Sequence, residues 1–279
     1  AAAAASPLIS DAGMVMISPS NTSPSLTSDL KGNAGKDYNP GYYRTAHNDL
    51  FQGQAVAEFA YNELGIRKAA AIHDGDPYTD GLATAFSDAD MSAVLTEVAA
   101  GSPEMLFFPI FPPEGNFIAE QIGSIPGLED VTLIAADGLL VDNFMEIPAA
   151  KGVYHSGPDL RFGTNTSSTG TNAEAFLAAY EAAYGEAPSA PFWAHSYDAT
   201  VMLLTAIEKV AVMQGDSMFI DRQALRDELD KTSGFPGITG TLTCDEFGDC
   251  GAQRISIILN ESPDDLEKAK SNVVFDFAP

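Results

Sequence analysis

The sequence predicts an α/β fold built on a parallel β-sheet covered by helices. Three observations predict it. Apolar runs of strand length alternate with amphipathic helical stretches between residues 49 and 136. The runs KAAAIH, EMLFFPIF and VTLIAA are apolar at neighbouring positions rather than at every second one, which marks strands buried on both faces. At 279 residues and 45% hydrophobic content, the chain can form about two domains, at roughly one per 150 residues, and has material for a sizeable core.

The elements follow in order. Residues 13–17 (GMVMI) read as a strand, and 42–45 (YYRT) as another. Asp49 opens a helix whose apolar residues Ala55, Phe59, Ala60 and Leu64 share a face, and Gly65 stops it. Residues 68–73 are a strand, DGDPYTDG is a turn, and a helix begins over 82–86. Residues 91–99 are helical, 104–111 a strand, 116–122 a helix and 131–136 a strand. After residues 152–156 the texture changes to two long helices, 173–184 and 193–212, with a third over 222–229. The tail reads as strand at 242–243 and 255–259. No repeat or low-complexity linker divides the chain, so two lobes would have to share it by crossing back and forth.

Charge excludes several partners. There are 14 Lys and Arg against 39 Asp and Glu, a net charge of −25, and the cations nowhere cluster. Nucleic acids and anionic membranes, which need such clusters, are excluded. The acidic excess suits solubility through self-repulsion, with a salty habitat as the alternative. No apolar stretch reaches the ~18 residues of a membrane span; the best, 199–207, is closed by Asp198 and Glu208. The opening alanines run into Ser6-Pro7 with no basic region, so either the chain is cytosolic or a signal lies upstream.

The two cysteines, Cys244 and Cys250, flank Gly248 in LTCDEFGDCG. Their spacing suits a disulfide across a tight loop, worth roughly 2 to 2.5 kcal/mol, and an even count fits export. Two buried free thiols are the rival reading. A metal site would need further His or Cys ligands nearby.

In open parallel sheets, ligands lie off the carboxyl ends of the strands. Those ends carry Ser18, Ser20, Asn21 and Thr22 after the first strand, and Asp74, Asp76 and Tyr78 after 68–73. Phe111 and Glu114 follow 104–111, and Asp137-Gly138 follows 131–136. Hydroxyls, an amide, two aromatics and a carboxylate suit a small polar ligand bearing an ammonium group. Each has a plainer reading: the Ser/Thr/Asn row as a turn whose side chains cap the backbone, the Asp residues as helix caps, Tyr78 as packing. Calcium fits DGDPYTDG poorly, because Tyr78 stands where the loop pattern wants Asp or Asn. Catalytic motifs are missing: His47, His73, His155 and His195 are scattered, and no nucleophile elbow, Walker loop or zinc motif occurs. His195 and Ser196 adjoin on a helix, where neighbouring side chains diverge.

ISPSNTSPSLT, YYRTAHNDLFQGQAVAEFAYNELGIRKAAAIHD, DPYTDGLATAF, FFPIFPPEGNFIAEQ, AADGL, SYDATVMLLTAIEKV and GTLTCDEFGDC stand in one order. In that order, over nearly the whole chain, the sequence resembles the Leu/Ile/Val-binding family, type I periplasmic substrate-binding proteins of branched-chain amino-acid ABC transporters. The most specific pieces are SP-x-x-T-x-P, R-T-x-x-x-D-x-x-Q-G and L-x-x-D-x-x-G-D. The resemblance implies two lobes joined by three crossovers, 1–48 plus 158–251 and 49–157 plus 252–279, closing on an amino acid. It implies that the first lobe lacks its N-terminal β/α units, so that the chain opens in a helix before a middle strand. Ser20, through its backbone, Asn21 and Thr22 would hold the ligand from the first lobe; Tyr78 and Phe111 would line the second. Asp137 would meet the ammonium group. It implies no cofactor, metal or catalysis, an extracytoplasmic location, and ABC permease subunits as partners. The alternative is a sensor of the same fold, binding an amide, an aromatic acid or another small molecule and signalling to a protein partner; an enzyme on a two-lobed scaffold is a third reading. Tyr78 is followed by Thr79 where glycine is usual in the family.

Overall fold

The protein is described here by a computed structural model covering residues 2–72 and 92–279. Its largest sheet among the described residues has six strands, in the order β12-β11-β6-β5-β4-β3. These are β3 (Ala69–Ala71), β4 (Met105–Phe108), β5 (Thr132–Ala135), β6 (Tyr154–Pro158), β11 (Ile255–Leu259) and β12 (Val273–Phe277). Strands β3 to β6 pair in parallel, as the β/α alternation predicts. Strands β11 and β12 extend the sheet antiparallel, which differs from the purely parallel expectation. Apolar residues on both faces explain the unbroken runs. Met105 and Ile134 pack with Val56, Phe59 and Ala60 on one side; Leu106, Phe108 and Ala135 pack with Leu95 and Ile118 on the other.

The flanking helices are α2 (Asp49–Glu58), α3 (Ser92–Ala100) and α4 (Glu114–Gln121), with a short α5 (Asp142–Met145). Helix α2 starts at an Asn48 cap and widens into a π turn over Phe59–Glu63 before Gly65, at φ +70°, ends it. Strand β4 stops at Phe108 rather than at residue 111, because Pro109 has no N–H to donate to a ladder. The expected strand end at His73, the turn with Asp74, Asp76 and Asp80, and the helix over 82–86 lie outside the described residues.

A second set of elements comprises α1 (Ala2–Asp11), β1 (Met16–Ser18), β2 (Tyr42–Arg44), α6 (Ala173–Tyr184), α7 (Trp193–Val210) and α8 (Arg222–Leu229). Helix α1 packs through Ala2 with Leu26 and Tyr42, and α6 through Phe176 with Trp193, while β1, β2, α7 and α8 surround a core of their own. Tyr43, Met202, Leu225, Leu229 and Leu242 form that core. Strands β1 and β2 pair in parallel. Strand β1 begins three residues later than expected, because the chain still turns at Gly13, φ +70°, capping α1. Arg222 and Arg226 donate to the carbonyls of Ala12 and Ser10 at the end of α1, where cations are favoured. The expected helix 193–212 is shorter: Ala211 turns extended, and β7 (Val212–Gln214) pairs with β8 (Ser217–Phe219) around Gly215. A two-stranded β9 (Phe235–Pro236) with β10 (Thr241–Leu242) lies on the Asp198 side of α7. The Asp198 carboxylate accepts from the N–H groups of Ile238 and Thr239 and from the Thr239 hydroxyl. Helix α9 (Leu266–Ser271) and β12 were not anticipated from the sequence.

Between the two cores, three stretches of chain run side by side. Residues 44–48 bond to 248–253: Arg44 N–H to Gly248 O at 2.9 Å, Cys250 N–H to Arg44 O at 3.0 Å, and Asn48 N–H to Gln253 Oε1 at 2.8 Å. Asp159 N–H bonds to Arg254 O at 3.1 Å. The fit is close enough to require glycine: a Cβ at Gly251 would stand 2.2 Å from Thr45 O, and one at Gly248 2.2 Å from Tyr42 O. The chain therefore crosses between cores three times, as the fold reading expects.

His155 on β6 is fully buried against Phe144, and burial pushes its imidazole down to about 3. Between that value and the ordinary 6.5, the unfolded chain takes up a proton that the folded chain refuses, so this contribution to stability is present above 6.5 and lost as the pH falls. The stability difference between the protein and His155→Phe should therefore shrink by about 1.4 kcal/mol per pH unit between pH 6 and 4 in urea unfolding. A pH-independent difference would show that His155 is protonated in the fold.

Candidate functional site

The polar row after β1 divides by task. The Ser18 hydroxyl accepts from the N–H groups of Ser20 and Asn21, at 3.4 and 3.1 Å, and from Asn21 Nδ2 at 2.6 Å. Ser23 caps a short 3₁₀ turn, accepting from Ser25 N–H at 3.3 Å. Those groups shape the loop, in line with the capping alternative. Ser20, Asn21, Thr22 and Ser23 nevertheless line one open cleft of ≈ 410 Å³.

What holds the loop is Arg44. Its guanidinium is fully buried; Nη1 donates to the carbonyls of Asn21 and Ser23, at 3.1 and 2.9 Å, and Nη2 to Thr27 Oγ1 at 2.7 Å. Nε pairs with the Asp249 carboxylate. Asp249 is presented by the tight turn after Cys244, which a disulfide to Cys250 closes, as one of the two sequence readings expected. Asp245 Oδ1 accepts from Asp249 N–H at 2.9 Å within the same turn. Thr22 O also accepts from Asp49 N–H at 3.0 Å, tying the loop to the start of α2.

The opposite wall is Phe107, Pro109, Ile110 and Phe111, with Asp137 and Gly138 from the turn after β5. Phe111 is 65% exposed, its ring standing at the cleft rather than in a core. Glycine at 138 permits this: a Cβ there would lie 2.8 Å from Ile110 O and 3.0 Å from the Phe111 ring. Of the six ligand-site residues expected from sequence, Ser20, Asn21, Thr22, Phe111 and Asp137 thus share one cleft, and Tyr78 lies outside the described residues. The Asn21 amide nitrogen is engaged by Ser18, so its oxygen is the freer end.

Sequence reading missed Asp49, Gln52 and Gly53, which also line the cleft. Asp49 had been read as a helix opener, which it is. The available signal was Gln52: a polar residue one turn into a helix whose apolar face begins three residues later. Burial pushes the Asp137 carboxyl above its ordinary 3.8; His47 and Gln52 pull it back toward ionisation, while Asp49 pushes it up further. No lysine or arginine lines the cleft among the described residues. An apolar aromatic wall, a hydroxyl loop and a carboxylate can hold a small molecule with an apolar part and a cationic end.

No family model matches the chain. The Leu/Ile/Val-binding protein BraC3 of Rhizobium johnstonii is 25% identical over 273 residues, covering 90% of this chain and 68% of that protein. The solved leucine-binding protein LivK of Thermotoga maritima superposes with a TM-score of 0.74 at 24% identity, over 98% of this chain and 76% of that one. In sequence and in fold, the chain is similar to Leu/Ile/Val-binding proteins. The branched-chain amino-acid transporter substrate-binding protein LivJ of Streptococcus pneumoniae, solved with isoleucine, gives 0.66 at 21% identity over 98% of this chain and 75% of that one. The type I periplasmic-binding-protein fold of these Leu/Ile/Val-binding relatives is the fold found here.

Removing one partner of a buried pair leaves the other charge uncompensated, at a cost of about 3 to 5 kcal/mol. Asp249→Ala should destabilise the protein by about 3 kcal/mol or more in denaturant unfolding. A change within about 0.5 kcal/mol would mean that Arg44 does not need its carboxylate.

Proposed function

We propose that the chain is the extracytoplasmic solute-binding component of an ABC transporter, holding a branched-chain or similarly apolar amino acid between two lobes. The lobes are 1–48 plus 158–251 and 49–157 plus 252–279, and the three crossing stretches are the hinge between them. One observation carries the reading. Thr22 and Asp137, which belong to different lobes, face the same ≈ 410 Å³ cleft, and that volume falls within the range of small-molecule sites.

Ser20, through its backbone, and Asn21 and Thr22 hold the ligand from one side. Phe111 packs on its apolar part, and the Asp137 carboxylate receives the ammonium group. Arg44 fixes the loop before the ligand arrives, which lowers the ordering cost of binding. The chain binds and releases without catalysis. Closure of the lobes creates the surface read by membrane permease subunits. The relatives' names favour transport over signalling. No helix among the described residues is long and apolar enough to cross a membrane.

Calorimetric titration with L-leucine, L-isoleucine and L-valine tests the proposal: at least one should bind at micromolar concentration or tighter, and silence across the amino acids would end it. Asp137→Asn should weaken that ligand by about 2 kcal/mol or more, roughly 30-fold. Affinity should fall on acidification, because protonating Asp137 removes the charge that the ammonium needs. With the carboxyl raised by burial, the fall should begin at a higher pH than for an exposed aspartate. An acid-insensitive affinity would remove Asp137 from the site.

A further inference from the structure

We infer that Gln52 is the positioning residue of the acidic site: its buried amide holds the Asp137 turn in place and joins it to the crossing stretch through His47. The inference rests on the reading of Asp137 as the ammonium site only for its effect on ligand affinity; the placement itself is geometric.

Gln52 sits in the first turn of α2 and is 3% exposed, where an apolar residue would be the simpler choice. Its Nε2 donates to Ser156 O at 3.1 Å and to Ser156 Oγ at 3.0 Å. The Ser156 carbonyl can only accept, so the orientation of the amide is fixed and its oxygen faces the other way. That oxygen lies 2.6 Å from His47 Nε2. An amide oxygen only accepts, so Nε2 carries the proton. His47 Nδ1 is then left buried, with no partner among the described residues.

The chain of bonds continues toward Asp137. Ser156 Oγ donates to Ala135 O at 3.2 Å, at the end of the strand that delivers Asp137 two residues later. Next to Ser156, Gly157 leaves room for the turn: a Cβ there would lie 3.4 Å from Asp137 Cβ. Gln52 and Asp137 line the same cleft. One amide thus spans the crossing stretch (His47), β6 (Ser156) and, through Ser156, β5. Its oxygen meets His47, and its NH₂ bonds both to Ser156 and, in a hydrogen bond that favours the ionised carboxylate, to Asp137. The amide is thus engaged at both ends, the condition under which a buried polar group specifies one arrangement.

The charged or titratable groups that reach Asp137 come from two elements. His47, on the crossing stretch, favours the ionised carboxylate, and Asp49, at the start of α2, opposes it. Strand β6 contributes Gly157 beside the turn, and its His155 is buried and uncharged near neutrality. Gln52 stands on the favouring side with His47.

The test is a ¹³C NMR titration of side-chain carboxyls in the ligand-free protein, with Asp137 assigned through Asp137→Asn. Gln52→Met keeps the volume and deletes both ends of the amide. Its Asp137 midpoint should rise by roughly one pH unit, as expected when a hydrogen bond to the ionised form is lost. L-Leucine, where it binds the native chain, should bind the variant at least tenfold more weakly at pH 7. An unchanged midpoint overturns the inference whether or not leucine binds. A raised midpoint in a chain that binds no amino acid supports the positioning role and removes the ammonium reading instead. Should Gln52→Met fail to fold, Ser156→Ala breaks the bridge to Ala135 and should raise the midpoint by less, in the same direction; no rise there overturns the inference equally.

Discussion

The buried pair of Arg44 and Asp249 is the constraint on which the site depends. A guanidinium taken out of water is costly unless every donor finds an acceptor. Here the acceptors are the Asn21 and Ser23 carbonyls, the Thr27 hydroxyl and the Asp249 carboxylate. Satisfying the charge and shaping the loop are therefore one event: the loop that faces the cleft is the shell of Arg44. The disulfide turn and the close approaches at Gly248 and Gly251 serve that pair by bringing Asp249 against the crossing stretch.

The rest of the cleft follows from ordinary sheet geometry. Parallel strands end along one edge, so Phe111 and Asp137 arrive on neighbouring loops without special arrangement. What is special is electrostatic. Two carboxylates, Asp49 and Asp137, line a cavity free of lysine and arginine among its described residues. Such a wall discourages anions, and it leaves the ionisation of Asp137 to be set by a histidine and an amide.

Much of this was legible in the sequence, for reasons that can be traced. The unbroken apolar runs gave the parallel sheet, since burial on both faces removes alternation. Phe111 and Asp137 were legible because they follow such runs directly. Helices 173–184 and 222–229 were legible too, and in the structure Asn172 and Asp221 cap them. The hairpin after residue 210 was not, since Val212 and Met213 continue the helix's composition and only Gly215 signals a turn. Strand β12 was missed because VVFDF is half exposed at a sheet edge. The roles of Gln52 and His47 were not legible, because they come from a partner more than a hundred residues away or from burial, neither of which a local pattern encodes.

Arg44 and Asp249 stand 205 residues apart in the chain. During synthesis, the loop at residues 18–27 must wait for residue 249 before its organising cation is neutralised. Contacts of such long range slow folding, because closure of the intervening loop comes before any reward. A chain cut short of residue 249 therefore leaves the Arg44 guanidinium without its carboxylate, and the loop at 18–27 without its organising centre.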